Sequence, residues 1–177
     1  METTKWALDA MHSEINFKVK HMMIANVTGG FTKFTVDAVT EGDDFSKAKI
    51  NFSADVNSIN TNNEQRDGHL KSGDFFDAEK FPHIKFESTG ITKKSNDEFE
   101  LIGNLTVKDV TKPINLLVNF GGIGKDPYGN TKAGFTIDGK INRKDFGLTW
   151  NAALETGGML VGEDLKIQSE IQLAKQA

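Results

Sequence analysis

The sequence predicts an all-β fold, an eight-stranded antiparallel up-and-down barrel with a short helical crossing segment. Three observations carry this expectation. Apolar and polar residues alternate with period two from one end of the chain to the other. Each alternating segment keeps a polar face, unlike parallel strands buried on both sides. The connections are short and rich in turn formers, which pairs sequential strands antiparallel. Closing such strands on themselves removes aggregation-prone edges, although alternation alone fits two stacked sheets equally well.

The first strand runs from Ser13 to His21, with Ile15, Phe17, Val19 and His21 on one face and Glu14, Asn16, Lys18 and Lys20 on the other. The same split recurs at Phe34/Val36/Ala38, at Ala48/Ile50/Phe52/Ala54/Val56 and at Ile84/Phe86/Ser88/Gly90. It continues through Phe99/Leu101/Gly103/Leu105/Val107 and Ile114/Leu116/Val118/Phe120. The last two strands are Ala133/Phe135/Ile137/Gly139/Ile141 and Leu165/Ile167/Ser169/Ile171/Leu173. Turns fall at Glu41–Asp44, Ser95–Asp97, Asp109–Pro113 and Asp126–Asn130.

Two segments break the alternation. Residues Asn62 to Asp77 read as a helix capped by Thr61 or Asn62, crossing one barrel end. Residues Asn142 to Glu163 carry Gly147, Gly157, Gly158 and Gly162 yet are too apolar for disorder, so they should fold back onto the barrel as a second, more mobile cover.

Composition narrows the function. The 177 residues form one domain, 1–177, with 21 basic and 25 acidic side chains and a net charge of −4. Without a basic block, nucleic acid is not an expected partner. Cysteine is absent, which removes disulfides and thiolate chemistry. The N-terminus lacks a signal-like apolar run, and no stretch is long enough for a transmembrane helix. The expected location is cytoplasmic for the chain as it stands, or periplasmic if a leader has been removed.

Catalytic and metal signatures are not recognisable. His12, His21, His69 and His83 match no ligand spacing, and no metal or cofactor is expected. Asp9, His12 and Ser13 invite a hydrolase reading but equally satisfy backbone groups within one turn. Arg66 and His69 on the crossing segment offer either a solvated face or an anion or hydroxyl contact at a barrel mouth. Met22-Met23-Ile24 suits rim packing or the doorway for an apolar ligand.

The inward face carries the strongest functional signal. Its small residues, including Ala38, Ala48, Ser88, Gly103, Gly139 and Ser169, leave room in a barrel just wide enough for one small ligand. No inward position on the eight strands is charged, so the ligand should be apolar along most of its length. The residues expected to bind it come from seven of the eight strands: Phe17, Val19 and His21; Phe34 and Val36; Ile50 and Phe52; Phe86, Leu101, Leu116 and Val118; Phe135 and Ile137. Arg66, Phe76, Trp150, Met159 and Leu160 join them from the covers.

Several blocks resemble the YceI family of lipid-binding, lipocalin-like barrel proteins. They are Trp6-Ala7-Leu8-Asp9 with His12-Ser13, Phe17 and His21, then Gly30-Phe31 and the run Arg66 to Asp77. Phe81 to Ser88, Gly103 to Pro113 and Lys144 to Gly147 complete the set, which spans Trp6 to Leu173. The resemblance implies an extended barrel enclosing a polyisoprenoid or another long-chain lipid, without an established catalytic role. Many relatives carry an export signal that this N-terminus lacks. Asp109 stands where relatives usually have Gly, a position at which Asp tolerates the left-handed conformation. The expected function is therefore non-catalytic binding, storage or transport, by a monomer or a homodimer. The alternative is an enzyme acting on a hydrophobic substrate through Asp9/His12/Ser13 or Arg66/His69.

Overall fold

In a computed structural model that describes residues 2–152, 154 and 159–177, the alternating segments form one antiparallel sheet that closes into a barrel. Strands β1 (Thr3–Leu8) and β2 (Glu14–His21) flank a 3-10 turn at Ala10–His12. Next come β3 (Ala25–Phe31), β4 (Phe34–Glu41), β5 (Asp44–Asp55) and β6 (Ile59–Asn60), then helix α1 (Glu64–Lys71). Strands β7 (His83–Lys93), β8 (Glu98–Val107), β9 (Val110–Lys125), β10 (Thr131–Asn142) and β11 (Val161–Lys175) complete the chain.

The eight expected strands are present, most of them longer than the alternation suggested, and three further strands, β1, β3 and β6, join the sheet. Both β1 and β2 pair with β11, β1 through Trp6↔Lys175 and β2 through Glu14↔Glu170 to His21↔Val161. They are two halves of one kinked stave. In the same way β3 pairs with β2 while β4 pairs with β1, and β6 extends β5 to reach β3. The β1–β11 pairing closes the ring, which excludes two stacked sheets. Strand β3 escapes a sequence reading because Gly29 and Gly30 look like a breaker, yet both glycines are required. A Cβ on Gly29 would stand 2.7 Å from Phe17 Cζ, and one on Gly30 would stand 2.5 Å from Ile15 O.

The helix is shorter than expected and its cap lies elsewhere. Asn62 is left-handed (φ 61°), whereas Asn63 is extended and its side chain accepts from Arg66 N–H at 3.0 Å. The helix stops before Ser72, so Phe75 and Phe76 enter the core from the turn that follows. A second correction concerns Gly90. A bulge between Ser88 and Gly90 shifts the face of β7, so Gly90 is exposed and Ile91 packs inward instead.

An aromatic plug closes the lower end. Trp6 and Phe45 lie 5.0 Å apart, Phe45 and Phe135 4.9 Å, and Phe120 and Phe135 5.3 Å. Ala38, Ala48 and Ala133 are buried in the same cluster, where their small side chains admit these rings. Trp6 Nε1 donates to Thr40 Oγ1 at 2.8 Å, so the buried indole leaves no polar atom unmatched. The upper end carries the β2–β3 hairpin, α1 and the segment after β10. Among the described residues, no helix is long and apolar enough to cross a membrane.

Candidate functional site

Above the plug lies an apolar chamber of about 160 Å³. Its wall is built by Phe17, Val36, Ile50, Phe52 and Phe86, facing Leu101, Leu116 and Ile137, with Phe76 above. The small inward residues enlarge it less than their number suggests, because bulky neighbours use the space they leave. Phe86 lies over Gly103 and Leu116 over Gly139, while Ser88 Oγ accepts from Ile50 N–H at 2.8 Å.

A second compartment of about 460 Å³ forms the mouth and shares Phe17, Phe76, Arg143, Leu148 and Leu165 with the first. Its walls are mixed. Val19, Trp150 and Leu160 are apolar, whereas His21, Thr61, Arg66 and His69 bring polar atoms. Among the described residues no carboxylate lines it. Thr61 organises one side: its O–H donates to Asp67 Oδ1, while its hydroxyl oxygen accepts from Arg66 Nε at 2.8 Å. Arg66 Nη2 also donates to Thr61 O at 2.6 Å, which leaves Nη1 uncommitted among the described residues. His69 Nε2 is 2.9 Å from Asp74 Oδ2, and its ring meets Trp150 edge-on at 4.6 Å.

Between the compartments sits Arg143, only 3% exposed. It lies two residues beyond Ile141, so it continues the inward parity of β10 past the end of the strand. The inward strand positions are uncharged as expected, and Arg143 adds a charge just beyond them: the strand ends, but its face does not. The guanidinium donates to four main-chain carbonyls, those of Leu148, Trp150 (2.9 Å), Val161 (3.3 Å) and Gly162 (2.7 Å). Burial lowers its pKa from the ordinary value, an effect that Glu163 partly opposes. Arg143 thus ties both ends of the covering segment to the barrel.

Four residues expected to face the ligand line neither compartment. Phe135 belongs to the lower plug and Val118 is buried in the surrounding core. Phe34 borders a separate groove on the outer surface, beside the kink between β3 and β4. Met159 is 46% exposed at the edge of the cover. Gly157 and Gly158 lie outside the described residues.

Of the polar residues considered for catalysis, Arg66 and His69 line the mouth, whereas Asp9, His12 and Ser13 lie away from the interior. Asp9 Oδ2 is 2.7 Å from His12 Nδ1 and accepts from Lys132 Nζ, and His12 is largely exposed. Ser13 Oγ donates to Asp9 O at 2.7 Å and accepts from Gln172 N–H at 2.9 Å, so its hydroxyl serves the backbone at the kink. None of the three lines either compartment. His83 faces solvent, as its parity implies.

Comparison with known proteins places this geometry among relatives. The family model described as a YceI-like domain matches residues 6–173. A UPF0312 protein of Staphylococcus aureus strain N315 is 40% identical over 174 residues, covering 97% of this chain and 98% of the relative. The Campylobacter jejuni YCEI protein superposes with a TM-score of 0.75 at 31% identity, covering 96% of this chain and 97% of that one. Burkholderia cenocepacia BcnA gives a TM-score of 0.81 at 19% identity, over 93% of this chain and 98% of that one. A polyisoprenoid-binding domain from Saccharophagus degradans gives 0.70 at 13% identity, over 97% and 98%. These last two are similar in fold.

Proposed function

The chain belongs to the YceI-like domain family, and from that premise we propose that it binds a long apolar molecule, a polyisoprenoid or fatty-acid-like amphiphile, as a non-catalytic carrier or store. The observation that carries this reading is the continuity of an apolar chamber with a mouth whose charged lining residues are arginines. The chain of the ligand occupies the chamber and its polar head meets His21 and Arg66. Apolar burial at roughly 25 cal/mol per Å² supplies the affinity, and the few polar groups set the orientation.

A static chamber of about 160 Å³ is close to the benzene-sized voids known in engineered cores. A long chain therefore spans both compartments and displaces the side chains that separate them, Phe17, Phe76 and Leu148. The polyisoprenoid named for the Saccharophagus degradans neighbour supports a ligand of this class. With Asp9, His12 and Ser13 turned away from the interior, the competing enzymatic reading keeps only Arg66 and His69 at the mouth, where Arg66 is bonded to Thr61 and His69 to Asp74.

Native mass spectrometry of delipidated protein incubated with a polyprenol, and separately with a long-chain fatty acid, tests the proposal. The expected result is a one-to-one adduct with at least one of them, weakened by Ile137→Trp, which fills the chamber. A bare protein mass after both incubations overturns it.

A further inference from the structure

We propose that the β2–β3 hairpin docks this protein on an anionic lipid bilayer with the barrel mouth at the membrane surface. The proposal rests on the lipid-binding reading for its purpose, but on a different set of residues for its physics. At the hairpin tip Met22, Met23 and Ile24 are 44%, 57% and 83% exposed, three consecutive apolar side chains facing solvent. Met22 and Met23 are both left-handed, with φ of 54° and 60°, in a turn closed by Ile24 N–H donating to His21 O at 3.3 Å. This turn favours Asn-Gly, and a methionine at each position is costly. The strain holds the apolar side chains on a tip that the fold could have built more stably from polar residues.

The tip is continuous with the mouth. Met22 N–H donates to Leu160 O at 2.7 Å, and both Leu160 and the adjacent His21 line the upper compartment. Met159 adds a further exposed apolar side chain beside it. A molecule leaving a bilayer under this tip meets the opening directly.

Charge on the same strands selects the kind of surface. Lys18 is paired across the sheet with Lys166, which is paired in turn with Lys140, so three lysines stand in a row on β2, β11 and β10. Like charges placed directly opposite destabilise a sheet unless something neutralises them. Lys140 is 3.2 Å from Asp164, whereas Lys18, Lys20 and Lys166 have no ion-pair partner among the described residues. The next acidic side chain, Glu163, is neutralised by Lys144 at 2.8 Å. Four residues farther from the tip along the same pair of strands, Glu14 stands opposite Glu170. Exposed Asp145, in the turn after β10, is a further acid at the tip end, set against Lys18, Lys20 and Lys166. The face is therefore net basic toward the tip and acidic away from it, which turns the tip toward an anionic surface despite the net charge of −4. An exposed apolar tip with lysines behind it matches the requirements of interfacial binding.

Flotation of the protein with vesicles of equal parts phosphatidylcholine and phosphatidylglycerol, free of isoprenoid, tests the docking. Wild-type protein should float with these vesicles, less so in high salt, and not with phosphatidylcholine alone. The variant M22N/M23G/I24S should lose at least tenfold in vesicle affinity while melting at the same or a higher temperature, because its turn is relaxed. The variant K18Q/K166Q should bind more weakly, and with less salt dependence. Docking is overturned if wild type stays unbound, if the tip variant floats equally well, or if flotation requires a membrane protein in the vesicles. Native mass spectrometry of the tip variant with the polyprenol separates the two proposals. Failure of lipid binding leaves isoprenoid-free flotation intact, and failure of docking leaves the adduct intact.

Discussion

Gly103 lies beneath Phe86 across the β7–β8 pair: a Cβ on the glycine would stand 2.4 Å from Phe86 Cζ and 2.6 Å from Glu87 O. The ring cannot simply rotate away from both contacts, since one of them is backbone. Gly103→Ala is therefore expected to destabilise the barrel by about 2 kcal/mol, the usual scale for overpacking a filled core. Denaturant unfolding measures it, and the loss should be smaller for Gly139→Ala. There the crowded atom is Leu116 Cδ2, at the free end of a flexible side chain.

Arg143 makes a second test, because its four carbonyl partners lie on both ends of the covering segment. Arg143→Met keeps much of the volume but leaves buried carbonyls without donors, at a cost of about 3 kcal/mol. In a domain of this size that lowers the melting temperature by about 10 °C. Hydrogen exchange should rise first at residues 148–152 and 160–162. Equal exchange there in wild type and variant would show that the guanidinium does not hold the cover.

Asp9 supplies a pH-dependent prediction. The hydrogen bond from Lys132 holds its carboxyl below the ordinary value of 3.8, against an opposing effect of burial, and His12 adds to the lowering. A depressed carboxylate contributes stability that is complete above its unfolded value and is lost as pH falls through the folded one. Asp9→Asn should thus be less stable than wild type at neutral pH, and the difference should narrow below pH 3.8. Urea unfolding at pH 7 and at progressively lower pH measures this gap; a gap independent of pH would refute the assignment.

The walls of the barrel were legible because long strands repeat their signal. Phe17, Ile50, Phe86, Leu101 and Ile137 each sit in a run of consistent parity, and each reaches the chamber. Legibility failed where the run is short or its phase changes. Strand β1 has only six residues, β3 contains paired glycines that only the packing of Phe17 and Ile15 explains, and a bulge moves Gly90 out of phase. Arg143 was concealed differently. Its parity is inward, but a charged residue after a strand reads as a loop unless the carbonyls that receive it are known, and those come from residues 5 to 19 positions away in sequence. The apolar Met22-Met23-Ile24 is recognisable as a doorway, but the left-handed backbone of its two methionines and the exposure of its side chains belong to the three-dimensional turn.

The chain carries two tryptophans, and their positions provide a built-in reporter of ligand binding. Trp6 is 1% exposed in the lower plug, 5.0 Å from Phe45, with its N–H bonded to Thr40. Trp150 lines the mouth, with His69 at 4.6 Å and Phe75 at 5.4 Å. A chain that enters from the mouth passes Trp150 and stops above the plug, so only one indole changes its surroundings. Quenching by a fatty acid brominated near its head should accordingly vanish in Trp150→Phe and persist in Trp6→Phe. Moving the bromines to the far end of the chain should weaken the Trp150 signal, because the tail then lies in the chamber among Leu101, Leu116 and Ile137. If both bromine positions quench Trp150 equally, or if the signal survives Trp150→Phe, the chain does not thread the barrel in this direction.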